Sequence, residues 1–312
     1  MNTDKIYPLA VIGAGPAGLS ASIYASRYGI DHIVIGHLLG GQISETHEID
    51  NYPAIEAANG AEFAESLVAH ARKFGAPIEN RMVMNIAKED GGFAVSLDGG
   101  SVIRSKVLLL ATGTRRRTLG IDRESEFLGR GVSYCATCDG FFYRGRTVTV
   151  IGGNNSATGA AVYLAGIADK VRLVYRGAQL RAQEHLLKAL RERPNVDIIL
   201  DTNVISLIGE ESLTAVKLDH PYEGSDILPT DGLFIEIGSD PSADFARDLG
   251  VATDESGFIK VNADMSTSVA GIYAAGDITD GSDKFRQVIT AAAEGAIAAR
   301  SIHTVLAKSA VS

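Results

Sequence analysis

Residues 6–18 read Ile6-Tyr7-Pro8-Leu9-Ala10-Val11-Ile12-Gly13-Ala14-Gly15-Pro16-Ala17-Gly18. An apolar run of strand length ends in glycines spaced Gly-x-Gly-x-x-Gly. A helix follows to about Tyr28, with Leu19, Ile23 and Ile30 near helical spacing, and His32-Ile33-Val34-Ile35 is the next strand. Strand, glycine turn, helix, strand is the dinucleotide-binding unit. Its glycines let the backbone turn tightly and approach a pyrophosphate, while the helix N-terminus supplies amide donors and a positive dipole end. The acidic ribose ligand expected after the second strand falls near Ile35-Gly36, where no carboxylate stands. Backbone groups around Gly36 are left for the ribose region.

A second copy of the pattern lies further on. Thr147-Val148-Thr149-Val150-Ile151 is a strand, Gly152-Gly153 a turn, residues 155–166 a helix and Val171–Tyr175 a strand. From Gly13 to Gly36 is 23 residues, and from Gly152 to Arg176 is 24. The match predicts two dinucleotide-binding units. The second is altered: it reads Gly152-Gly153-Asn154-Asn155-Ser156-Ala157, with Asn154 where the motif wants its second glycine. A Cβ there obstructs the approach of backbone to pyrophosphate.

Between the two units stands Gly131-Val132-Ser133-Tyr134-Cys135-Ala136-Thr137-Cys138-Asp139-Gly140, which holds the only two cysteines of the chain. Thiols at Cys-x-x-Cys spacing close into a small disulfide ring and reopen, storing two electrons. Half of a zinc site is the rival reading. A structural zinc wants four ligands, no second Cys pair exists, and His32, His37, His47, His70, His185, His220 and His303 show no His-x3-5-His spacing. No metal is expected. A buried inert pair is the other rival, but the Gly, Thr and Asp neighbours mark a turn rather than a core strand.

The remaining elements read as follows. Gly40-Gly41-Gln42 and residues 48–53 are loops, with ordinary surface turns as the bland reading. Residues 60–74 form an amphipathic helix with Phe63, Leu67 and Phe74 on one face. Short strands are expected at 81–87, 92–97 and 101–104, then a central strand 106–110 ending in Ala111-Thr112-Gly113. The basic stretch 114–120 is a linker. After the second unit come a helix 182–192 and strands near 197–200, 203–208 and 213–218. Phe234–Gly238 leads to a boundary at 238–243. Gly271–Ala275 runs into Gly276-Asp277, and a final helix from about 286 carries Val288, Ile289, Ala292 and Ile297.

The 312 residues suit two domains, and 46 % apolar content allows a large core. The net charge of −9 argues against a nucleic-acid surface. The start lacks a signal-peptide apolar region, and no run approaches the ~20 residues of a membrane span. A lone Cys pair without a targeting signal fits a reducing cytoplasm.

With these motifs in order along nearly the whole chain, the sequence resembles the low-molecular-weight thioredoxin reductases. The carriers are Gly13–Gly18, Gly40-Gly41-Gln42, Asn51-Tyr52-Pro53, Ala111-Thr112-Gly113, Cys135-Ala136-Thr137-Cys138-Asp139, Ile272–Asp277 and Phe285-Arg286-Gln287. The resemblance implies an α/β fold with two Rossmann-like, three-layer ββα nucleotide-binding domains, as in class II pyridine nucleotide-disulfide oxidoreductases. Residues 1–117 with 242–312 would bind FAD. Residues 118–241 would form an NADPH-binding-like domain carrying the Cys pair. By carry-over, Gly13, Ala14, Gly15, Pro16, Ala17 and Gly18 meet the FAD pyrophosphate. Gly36, Gly40, Gly41, Gln42, Asn51 and Ala111-Thr112-Gly113 line the cofactor. Gly276-Asp277 meets the ribitol region, and Arg286, Gln287 and Val288 reach the isoalloxazine side. Cys138 is expected against the flavin, Cys135 attacks the protein disulfide and Asp139 moves the proton. For Asp139, a helix cap or turn residue is the alternative. Members are normally homodimers whose domains rotate between two working orientations.

The chain departs from the family in the second unit. Typical members read Gly-x-Gly-x-x-Ala there, followed by His-Arg-Arg-x-x-x-Arg. Here the latter is Tyr175-Arg176-Gly177-Ala178-Gln179-Leu180-Arg181, so Arg176 and Arg181 remain and one arginine is missing. Losing one charged phosphate contact costs ~1.5–3 kcal/mol, about ten- to a hundredfold in affinity. Gly152, Gly153, Ser156, Arg176 and Arg181 are left as the nucleotide candidates. Together the departures weigh against ordinary NADPH binding and point to reduced ferredoxin, a deazaflavin or a second flavin as donor to a reductase of thioredoxin or a thioredoxin-like protein. The alternatives are a conventional NADPH enzyme with a divergent site, an oxygen-using dithiol oxidase with an apolar pocket of Tyr134, Phe141, Phe142 and Tyr143, and a non-enzymatic flavin-binding regulator.

Overall fold

The computed structural model describes residues 5–45, 49, 51–55 and 58–309. Residues 1–4, read for a leader, and Glu48 and Asp50 of the loop 48–53 lie outside the described residues, as does His47. The chain divides into two compact units, Met1–Arg115 with Asp240–Ser312, and Arg116–Ser239. The two passages between them, Thr114–Arg116 and Ser239–Pro241, pair as a two-stranded ribbon, so the expected linker begins as a strand.

The first unit is built on a seven-stranded sheet. Ile78–Glu79, His32–Ile35, Ile6–Ile12, the second half of Val102–Leu110 and Ile272–Ala274 run parallel. The first half of Val102–Leu110 instead pairs antiparallel with Gly92–Leu97, which pairs with Val83–Glu89. The two strands expected at 101–104 and 106–110 are thus one, because Ser105 and Lys106 continue the pleat without a turn. Side chains alternate across the opening strand. Leu9 and Val11 join one core with Ala17, Ala21, Ala298 and Ile302, while Ala10 and Ile12 join another with Ile86, Phe93 and Val95.

The opening helix Pro16–Arg27 starts with proline, which lacks only an N–H that would be unpaired there. It packs on the closing helix Val288–Ser309 so tightly that a Cβ at Gly295 would fall 2.0 Å from the Ala17 carbonyl oxygen. That approach selects small residues. The buried stripe is Ala291, Gly295, Ala298 and Ala299, while Ile289 and Ile297 turn outward. In the helix Gly60–Lys73, Phe63 is buried with Ala64 and Val68, but Phe74 lies past the end and is exposed.

The second unit has a parallel sheet ordered Val196–Ile199, Lys170–Val174, Thr147–Ile151, Gly232–Ile235, Val132–Ser133. A three-stranded antiparallel sheet, Val204–Gly209, Leu213–Tyr222 and Ser225–Pro229, accompanies it. Its third strand, missed in the sequence, is short and interrupted by charge. No helix among the described residues is long and apolar enough to cross a membrane. None of their His, Cys, Asp and Glu side chains cluster in threes to hold a metal.

Candidate functional site

In the first unit the glycines make a cradle. Gly13 has φ +116°, and a Cβ on it would fall 2.1 Å from the Ala111 carbonyl oxygen. A Cβ on Gly18 would fall 1.9 Å from the Gly13 carbonyl oxygen, so strand, turn and helix are locked together. Gly15 is different: its face meets only the Gly41 Cα, at 3.7 Å. No side chain caps the helix there, and its first-turn amides project past an open backbone, as a pyrophosphate site requires. Ala14 and Ala17 are buried behind this edge.

Neighbouring segments are sewn to the cradle. The Gly40 amide donates to the Ala14 carbonyl at 2.8 Å, so Gly40-Gly41-Gln42 is no ordinary surface turn. A Cβ on Gly36 would fall 2.7 Å from the Ala14 nitrogen. The Gln42 amide donates to the Thr114 carbonyl. Thr112 Oγ1 donates to the Ser242 carbonyl at 2.8 Å, and the Ser242 amide to Gly113 at 3.0 Å. Asn51 Nδ2 donates to Gln287 Oε1 at 2.9 Å, tying together two residues far apart in sequence. Val288 packs beside Ile43 and Phe63. Arg286 stacks over the Phe258 ring at 4.0 Å; burial lowers its pKa, against the pull of Asp277.

Sequence reading missed Glu294. It is 4 % exposed and accepts from the Gly276 amide (2.7 Å), Thr279 Oγ1 (3.1 Å) and Ser282 Oγ (2.6 Å), fixing the turn that carries Gly276-Asp277. Its signal was a lone carboxylate in an alanine-rich helix.

In the second unit, Cys135, the N-cap of the one-turn helix Ala136–Asp139, forms a disulfide with Cys138 inside it. Asp139 Oδ2 accepts from Ser133 Oγ at 2.6 Å, and the same hydroxyl accepts from the Cys135 amide at 3.1 Å. Ser133, also missed, thereby joins a cysteine to the carboxylate. Glu236 Oε1 accepts from the Ala136 amide at 3.3 Å. Tyr143 packs edge-on to Phe234 at 5.1 Å, and burial, then the Asp139 charge, raise its pKa to about 12. Tyr134 turns its hydroxyl to Glu124. Phe141 and Phe142 are 57 % and 40 % exposed, so they do not wall a closed apolar pocket.

The second glycine turn is filled by the chain itself. Asn154 Oδ1 accepts from the Ala157 amide at 3.0 Å; it caps the helix Asn155–Leu164 and so takes up an N–H donor that a pyrophosphate would need. The obstruction is therefore the asparagine side chain turned inward on the helix, more than its Cβ. A Cβ on Gly153 would fall 2.5 Å from the Tyr175 ring, and one on Gly177 2.7 Å from it. The Arg181 amide donates to the Gly153 carbonyl at 2.6 Å. Ser156 lies in the capped turn, while the Arg176 and Arg181 side chains are exposed.

Residues 7–295 match the family described as pyridine nucleotide-disulphide oxidoreductase. A thioredoxin reductase of Listeria innocua is 38 % identical over 299 residues, covering 95 % of this chain and 92 % of that protein. One from Bacillus subtilis is 37 % identical over 306 residues, covering 97 % and 95 %. The crystal structure of thioredoxin reductase from Streptococcus pyogenes superposes with a TM-score of 0.89 at 34 % identity, covering 97 % of this chain and 99 % of that one.

Proposed function

The chain belongs to the pyridine nucleotide-disulphide oxidoreductase family and, within it, to the thioredoxin reductases, and we propose that it reduces a thioredoxin-like protein with electrons that do not arrive through ordinary NADPH binding. It is a flavoprotein oxidoreductase with a disulfide redox centre.

The cradle fits FAD. The open face of Gly15 and the uncapped amides of the opening helix suit a pyrophosphate, which a Cβ at Gly15 would crowd. Gly36 directly follows His32–Ile35, where the sequence has no carboxylate, and offers backbone to the ribose. Gly41, Gln42 and Asn51 hold the flavin side, Asp277 the ribitol, and Arg286 with Gln287 the ring. Bound FAD supplies the two-electron exchange with the disulfide. The chain's own residues do the rest. Cys138 is the sulfur that receives the electrons, and Cys135 the thiolate that attacks the partner's disulfide. Asp139, held by Ser133, gives a proton to the departing thiolate and later recovers it. The same reading makes the protein a cytoplasmic homodimer.

The observation that carries the unusual donor is the Tyr175 ring seated on Gly153 beside the capping Asn154. An adenine dinucleotide needs that backbone bare. Reduced ferredoxin or a deazaflavin needs no such turn, and neither does a second flavin bound as a mononucleotide. The open aromatic surface of Phe141 and Phe142 favours a protein substrate over the dithiol oxidase reading.

Anaerobic holoenzyme, brought to stoichiometric reduction with dithionite, is mixed with oxidised thioredoxin. The expected result is two new thioredoxin thiols per reduced enzyme, lost in Cys138→Ser with FAD retained. No thiols, together with oxygen uptake on small dithiols, would assign the oxidase reading instead.

A further inference from the structure

A second carboxyl group, Glu236, reaches the redox pair from the neighbouring strand end. Glu236 directly follows Gly232–Ile235, the strand flanked by Thr147–Ile151 and Val132–Ser133. Register places Ile235 opposite Ile151, and Phe234 opposite Ser133. The next residue therefore lies between the second glycine turn and the start of the Cys loop. Its amide donates to Ile151 at 2.9 Å, and its carbonyl oxygen is 2.4 Å from where a Cβ on Gly152 would fall. Its carboxylate accepts from the amide of Ala136, a residue inside the Cys-x-x-Cys ring. The surrounding run, Leu233-Phe234-Ile235-Glu236-Ile237, is otherwise apolar, and a carboxylate in such a place is costly unless it has work to do.

We propose that Glu236 is a positioning residue that holds a proton for the Cys135–Cys138 pair: ionised against the Ala136 amide while the disulfide is closed, and protonated once the disulfide opens. The proposal rests on the reading of that pair as the redox centre. Reduction by a dithiol or a dihydroflavin delivers two electrons and breaks the S–S bond. One sulfur takes a proton and becomes a thiol, the other remains a thiolate, and Glu236 takes a second proton. Two electrons and two protons enter, so the charge of the site does not change. Without Glu236, one proton enters and a negative charge is left beside the carboxylates of the turn.

The surroundings make this protonation easy. Burial raises the Glu236 pKa to about 7, against the lowering pull of the Ala136 amide and of Arg116. A new thiolate in the same turn is a like charge, which raises the carboxyl pKa further. Asp139 is held by Ser133, and Tyr134 is engaged with Glu124, so both face other partners in the same turn.

The test equilibrates wild-type and Glu236→Gln holoenzymes with dithiothreitol and its oxidised form across the neutral and mildly alkaline range. Free cysteines are alkylated and counted by mass. Each extra proton per two electrons changes the equilibrium constant tenfold per pH unit, or ~30 mV. The expected result is that the wild-type constant, divided by that of the variant, falls as pH rises above about 7, by about tenfold in total for one unit of carboxyl shift. Glu236→Ala, which leaves no side-chain acceptor at all, is expected to match Glu236→Gln and serves if the latter does not fold. A ratio constant with pH would overturn the proposal while leaving the redox pair intact. A pair that no dithiol opens would overturn both.

Discussion

The ring of Tyr175 rests on Gly153: a Cβ placed on that glycine would fall 2.5 Å from two ring carbons. The residue that directly follows the strand Lys170–Val174 thus covers the backbone that a dinucleotide would have to touch. Gly177 leans on the same ring, 2.7 Å from it at the Cβ position.

The two positions are therefore coupled. Gly177→Arg alone meets the ring and gains no NADPH affinity. Tyr175→His with Gly177→Arg removes the outer ring atoms that Gly177 faces, leaves the Asn154 cap in place, and adds a phosphate contact worth ~1.5–3 kcal/mol, about ten- to a hundredfold in Kd. Calorimetric titration at fixed low salt measures both. Equal gains in the single and double variants would contradict the coupling.

Ser133→Ala removes the hydroxyl shared by Asp139 and the Cys135 amide. If Asp139 moves the proton as proposed, loss of ~1–2 kcal/mol from its carboxylate slows thiol exchange about five- to thirtyfold. Stopped-flow mixing of reduced enzyme with oxidised thioredoxin gives the rate, and FAD content stays unchanged. A change within about twofold would leave Ser133 a spectator.

Glu294→Ala leaves the Gly276 amide and the hydroxyls of Thr279 and Ser282 without their buried acceptor. The expected cost is ~3 kcal/mol, with FAD lost on desalting because Gly276-Asp277 is no longer fixed. Glu294→Gln keeps an acceptor oxygen and retains more flavin. Urea midpoints and the absorbance of the desalted protein measure the two effects.

His32 is buried between Ser22 Oγ and the Ile30 carbonyl, each at 2.8 Å. Burial lowers its pKa, against weaker raising by that carbonyl and by Asp31. The unfolded chain then binds the proton more readily than the folded one. Stability from this group is present above the unfolded pKa of about 6.5 and is lost as pH falls through the lower folded value. His32→Gln keeps hydrogen bonding without the titration. Its stability is expected to fall less steeply below about pH 6.5, by up to ~1.4 kcal/mol per pH unit. Parallel slopes in urea unfolding would contradict this.

Much of this was legible because its signals are local. The opening strand, the glycine turn and the helix Pro16–Arg27 show their period and punctuation within a few residues, and so do Thr147–Ile151 and the Cys pair. What escaped depends on partners distant in the chain. Ser133 reads as one more polar residue of the Cys-loop turn until Asp139 folds back on it. Glu236 lies 100 residues from the amide it holds. The closing helix turns Ile289 and Ile297 outward and buries Ala291, Ala298 and Ala299 with Ile302, because Gly295 must touch Ala17. Asn154 was readable as an obstacle, but its role as a cap was not, and nothing in the order of residues put Tyr175 over Gly153.

The most direct measurement is anaerobic addition of NADPH, then NADH, to the purified flavoprotein while flavin absorbance is followed. The self-filled second turn predicts no bleaching at micromolar nucleotide, with dithionite still reducing the flavin fully. Rapid bleaching by NADPH would contradict the account, and the protein would then draw its electrons from NADPH in spite of Asn154 and Tyr175.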